Sequence, residues 1–182
     1  MQLPASLIFL ASWLPQPGPV AAAAANQDVL NNNLSTAAAD IEAIKRQLTL
    51  YALAIDGRAW AALDAVFAPH ATADYGPPLG ALAGRDAIRA ALPPLLTVWK
   101  ATQHVLGTVA VDVCGDDGDE AVSVAYMTAT HFGRDVGDGE GVAKPVGWGD
   151  VVVAYGQYQD RWARDGGDGV WRVVHRNLVY LE

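Results

Sequence analysis

TQHVLGTVAVDVCGDDGDEAVSVAYMTATHF, residues 102–132, is two strand-like runs joined by a knot of glycines and aspartates. β-Branched and aromatic residues, which suit a pleated, half-buried surface, dominate 102–113 and 121–132, and residues 115–119 form the turn between them. The same texture returns at 150–163 and 170–181, set off by the glycine-rich 133–149 and by 165–169. Four consecutive runs of this kind predict an antiparallel sheet. Strands of about 12 residues curl or carry bulges, and a curved sheet covered by helices leaves a pocket between the layers.

His104 opens the first of these runs and His131 closes the second, so two imidazoles can meet across the sheet. Imidazole has the side-chain pKa nearest neutrality, and two in one pocket can take up one proton and deliver another. On strict alternation Val105, Val109, Val111 and Val113 share a face and His104 lies on the other, unless a bulge near Gly107 resets the register.

Upstream the period changes. Ile41, Ile44, Leu48, Ala52 and Ile55 recur at three- and four-residue steps from Asp40 and predict a helix stopped by Gly57. A short helix holds Trp60, Leu63, Val66 and Phe67 before Pro69, and a third runs over 86–92, ended by Pro93 and Pro94. Three helices followed by an antiparallel sheet give an α+β class.

The first 27 residues carry no charged side chain. An apolar run at 7–14, prolines at 15, 17 and 19 and alanines at 21–25 read as a secretory signal peptide without its basic start, or as a disordered leader. Asn33, Leu34 and Ser35 form a glycosylation sequon, which fits a secretory route; the alternative location is the cytoplasm. Residues 1–36 are set aside as leader and linker, and 37–182 as one domain. The whole chain of 182 residues, 52% hydrophobic and 18% charged, is enough for one sizeable core. A net charge of −8 argues against nucleic acid and anionic membranes as partners, and the single Cys114 leaves no intramolecular disulfide or cysteine zinc site.

Several motifs recur in a fixed order. Asp56 stands four residues before Trp60; Leu63, Val66, Ala68 and Pro69 follow; then come the pair Asp74 and Tyr75, the triplet Thr102, Gln103, His104, and Tyr126 five residues before His131. With the tail Asp168, Gly169, Val170, Trp171, this order resembles the SnoaL-like group of the NTF2-like superfamily, most closely the scytalone dehydratases. The resemblance runs from about residue 40 to the C-terminus. It implies a cone-shaped α+β barrel, N-terminal helices packed on a curved antiparallel sheet around a pocket, and chemistry without metal or cofactor. Where that family has a tyrosine just before the aspartate, this chain has Ile55; its strand serine and asparagine fall nearest Gly156 and Tyr158.

The resemblance implies that His131 and His104 move protons while Tyr75 donates to a substrate carbonyl as it gains enolate charge. A carboxylate at a helix C-terminus is disfavoured unless a cation or donor sits beside it, and His131 is the expected partner of Asp56. Tyr158, Met127 and Trp148 are candidates to line a pocket for a small, hydrophobic, oxygenated substrate. The reading is a dehydratase removing water next to a carbonyl of a polyketide-type molecule. Its alternatives are an isomerase or cyclase of polyketide or terpenoid intermediates, and a non-catalytic binding module. Strands rich in valine, tryptophan and tyrosine on both faces need cover, which predicts a homodimer or homotrimer.

Overall fold

A computed structural model describes residues 19–115, 117–133 and 151–181, with side chains from residue 36 onward. The chain divides into two compact units, residues 1–36 and 37–182. Helix α1 spans Pro19–Asp56, so it begins well before the predicted start at Asp40. The alanines at 21–25 are the strongest helix formers and carry the helix period upstream. No helix among the described residues is long and apolar enough to cross a membrane. The apolar run at 7–14 lies outside the described residues.

After α1 come a 3₁₀ turn at Trp60–Ala62, the four-residue helix α2 at Leu63–Val66, strands β1 (Phe67–Asp74) and β2 (Ala81–Ala83), and helix α3 (Arg85–Leu96). The long strands β3 (Ala101–Cys114), β4 (Glu120–Phe132), β5 (Val151–Arg164) and β6 (Trp171–Tyr180) complete the chain. All six strands form one sheet in the order β2-β1-β6-β5-β4-β3. Its two edge strands do not meet, so this is an open, curved α+β cone rather than a closed barrel.

Three expectations need correction. The sheet is mixed, because β1 runs parallel to β6. Strands β1 and β2 intervene before the third helix; β1 is short, contains Pro69 and His70, and its alternation was masked by those residues. Helix α3 continues through Pro93 and Pro94. Each proline forfeits a backbone donor and its ring crowds the carbonyl four residues back, a cost that packing of the helix on the core outweighs. Thr97 N–H donates to the Pro93 carbonyl at 2.9 Å, and the buried Ile88, Leu92 and Leu96 hold the helix against the core.

The core sits between the concave face of the sheet and the helices. Ile44, Leu48, Tyr51 and Ile55, one stripe of α1, are buried with Phe67, Val173, Trp162 and Trp171. The buried Asp40 accepts from Trp171 Nε1 at 3.0 Å, tying α1 to β6.

Candidate active site

Strand β3 places its histidine through a bulge. Between Gly107 and Val109 the pairing with β4 slips by one residue, and Thr108 takes φ 47°. Thr102, His104 and Leu106 therefore share the concave face with Val109, Val111 and Val113, while Val105 is exposed. Without that extra residue His104 points outward. On β4, Ala125, Met127, Ala129 and His131 face inward in alternation.

The carboxylate of Asp56, at the end of α1, collects donors. It accepts from Thr102 Oγ1 at 2.8 Å and from the backbone N–H of His104 at 2.7 Å, and lies 2.7 Å from His104 Nδ1. The expected pairing of Asp56 with His131 is thus corrected. The helix end lies over the start of β3, where His104 presents both a ring nitrogen and a backbone donor. The carboxylate fixes the ring so that Nδ1 carries the shared proton and Nε2 is left as acceptor. Burial pushes the Asp56 carboxyl up, but the His104 ring and backbone bonds, the His104 charge and Thr102 outweigh it, and it stays below the ordinary carboxylate value.

Arg58, which the sequence reading passed over, answers the helix-end problem. At φ 58°, its guanidinium donates to the carbonyls of Ile55 at 3.0 Å and Leu96 at 2.8 Å, and to Thr102 Oγ1 at 3.1 Å. One cation thereby caps the C-terminal carbonyls of two helices beside the carboxylate.

The two imidazoles meet edge to face, ring centres 5.8 Å apart, and the Trp99 ring lies 5.2 Å from that of His131. Among the described residues the buried His131 Nδ1 has no hydrogen-bond partner. Burial, then the neighbouring His104 ring, which disfavours a second positive charge, lowers its pKa below 6.5, against the opposing pull of the Val152 backbone and Asp56. Among the described residues no three His, Cys, Asp or Glu side chains converge as a metal-binding group.

These histidines open onto a cavity of about 60 Å³, room for several water molecules. Tyr75, Met127 and Tyr158 line it with Leu92, Leu96 and Leu178. Trp148 lies outside the described residues, as does the glycine-rich segment from 134 onward. Gly156 leaves no room for a side chain, since a Cβ there would come within 2.8 Å of the Val179 carbonyl. Tyr51 is one of the lining residues that sequence reasoning missed. It stands three residues after Leu48 and four before Ile55, and this place on the apolar stripe was the available signal. Its hydroxyl lies 3.3 Å from that of Tyr75. His175 bonds instead with Thr72 Oγ1 at 2.7 Å, and His70 is exposed.

Residues 36–177 match the family model described as the SnoaL-like domain. No curated protein matches the chain significantly. Among solved structures, a candidate scytalone dehydratase from Novosphingobium aromaticivorans superposes with a TM-score of 0.65 at 24% identity, covering 82% of this chain and 89% of that one. The Kfla4162 protein of Kribbella flavida gives 0.66 at 20% identity, over 80% and 93% of the two chains. A hexachlorocyclohexane dehydrochlorinase, LinA type 2, gives 0.61 at 16% identity, over 79% and 86%. At these identities the shared property is the fold.

Proposed function

The chain belongs to the SnoaL-like family of the NTF2-like superfamily, and from that premise we propose that it is a cofactor-independent acid/base lyase, a dehydratase that removes water next to a carbonyl. The observation that carries this reading is the Asp56–His104 pair at 2.7 Å, set beside a second imidazole inside an apolar cavity. A free Nε2 on an oriented ring is a general base, and the family resemblance and structural neighbours named for elimination chemistry support its use for proton abstraction.

In the proposed reaction His104 takes the proton from the carbon next to the carbonyl. The C–H electrons form an enolate, whose oxygen receives a hydrogen bond from Tyr75. Collapse of the enolate breaks the C–O bond one carbon further on. The departing hydroxide gains the abstracted proton through His131 and leaves as water, regenerating both imidazoles. The cavity's size suits the reacting carbonyl end of a substrate, with the rest of a polyketide-type molecule extending outward.

A second reading, an isomerase or cyclase, uses the same abstraction with no leaving group. The Nδ1 of His131, without a hydrogen-bond partner among the described residues, favours it, because a less firmly held ring is a weaker candidate for the acid that a leaving hydroxide needs. The test follows hydroxylated aromatic ketones by mass and absorbance with chelator present. Loss of water by wild type that collapses in His131→Ala supports the dehydratase. Product of unchanged mass supports the isomerase, and unchanged substrate contradicts both.

A further inference from the structure

Behind the histidines the cavity wall is built of tyrosine. The rings of Tyr51 and Tyr158 meet edge to face with centres 5.5 Å apart. The Tyr51 hydroxyl lies 3.3 Å from the hydroxyl of Tyr75. All three side chains are buried and line the cavity. The hydroxyls of Tyr51 and Tyr75, joined by one mutual bond, use one of their two hydrogens, so one O–H remains for a ligand.

A cation stands behind this cluster. The Arg176 guanidinium carbon lies 4.0 Å from the ring centre of Tyr51 and 4.3 Å from that of Tyr158. Its Nε and Nη2 hold Asp160 at 2.8 and 2.6 Å, both side chains being fully buried. A guanidinium stacked on a phenol face draws electron density from the ring and sharpens its O–H as a donor, the more so where water is excluded. Burial, with Tyr51 adding to it, keeps the Tyr75 hydroxyl protonated far above neutral pH, hence a donor.

We propose that Tyr51 and Tyr75 form a paired-hydroxyl oxyanion site, so that the cavity selects ligands bearing an enolate- or phenolate-type oxygen. The inference rests on the proposed proton abstraction for its catalytic use, since an enolate is what that step creates. Tyr51 is then a catalytic residue that touches the developing oxyanion, and Arg176 a positioning residue acting through its ring.

4-Nitrophenol tests this without turnover, because its neutral and ionised forms differ in colour. Wild type should bind it as the phenolate, holding it ionised at a pH where the free probe is largely neutral. Tyr51→Phe keeps the ring and its stacking on Arg176 and should weaken binding about 10–100-fold, the usual range for a hydrogen bond to a charged group. Tyr75→Phe should do likewise, with the double variant losing less than the product of the two. Binding by Tyr51→Phe within about twofold of wild type overturns the pair, as does a wild type that prefers the neutral phenol or binds neither form; the wild-type spectrum decides this even if a variant misfolds. Failed ketone turnover with intact phenolate binding sinks the dehydratase reading and leaves the oxyanion site standing.

Discussion

Asp56 is 21% exposed and His104 only 6%, so the carboxylate keeps a path to water while the ring it orients does not. Asp56→Asn keeps the size of the side chain and loses the charge that fixes the His104 tautomer. Turnover should fall by about 100-fold or more, the usual worth of a positioned proton-transfer group, with little change in thermal unfolding. A direct titration reads the other imidazole. His131, with its pKa lowered by burial and by His104, stays neutral to below pH 6.5. Its ring-proton NMR signal should therefore titrate with a midpoint under 6.5; a midpoint above that value contradicts its burial against His104. Asp56, His104 and His131 were singled out from the sequence for their chemistry and Tyr75 from the resemblance, and all but Asp56 line the cavity beside it. The partner of Asp56 was not legible, since it depends on where α1 ends relative to the start of β3. Tyr51 and Arg58 escaped for a related reason: a buried tyrosine and a helix-end arginine look like packing and solubility until their neighbours are known.

At the scale of elements, the bulge in β3 decides whether a site exists. Thr108 carries a left-handed φ that β-branched residues resist, and the pairing on either side of it holds the residue there. Deleting Thr108 should restore simple alternation, turn His104 to the convex face and reduce turnover below detection while far-UV circular dichroism keeps its strand signature. Thr108→Gly, which adopts the same φ freely, should retain activity and serves as the control. The four long strands were readable to within a residue or so, because their alternation is long and their turns are rich in glycine and aspartate. The bulge was readable only as a condition for His104 to face inward. Strand β1 was hidden because eight residues including Pro69 show little periodicity, and α3 was cut short because prolines are read as stops even where packing carries a helix through them.

For the whole molecule, the convex face carries an unusual number of exposed large apolar side chains. Val105, Val122, Val124, Tyr126, Val153 and Tyr155 are all exposed on β3, β4 and β5, interleaved with polar residues, and Val105 and Tyr155 flank Thr128 in one row. Exposed apolar side chains in such numbers are normally covered, and we expect a second copy to cover them. Light scattering behind size exclusion should report a dimer or trimer that Val124→Glu shifts toward monomer; a wild type seen only as monomer would falsify the assignment. The fold class was legible from the change of period at residue 102 and from the order of motifs; the parallel β1–β6 pairing was not. The central claim is that His104, held by Asp56, takes a proton from carbon next to a carbonyl, and it is tested most directly by hydrogen–deuterium exchange. Wild type and His104→Ala, each with an aromatic ketone in D₂O and chelator, are followed by proton NMR. The account predicts enzyme-dependent loss of the signal next to the carbonyl that disappears in His104→Ala; exchange no faster than buffer, or equally fast in the variant, contradicts it.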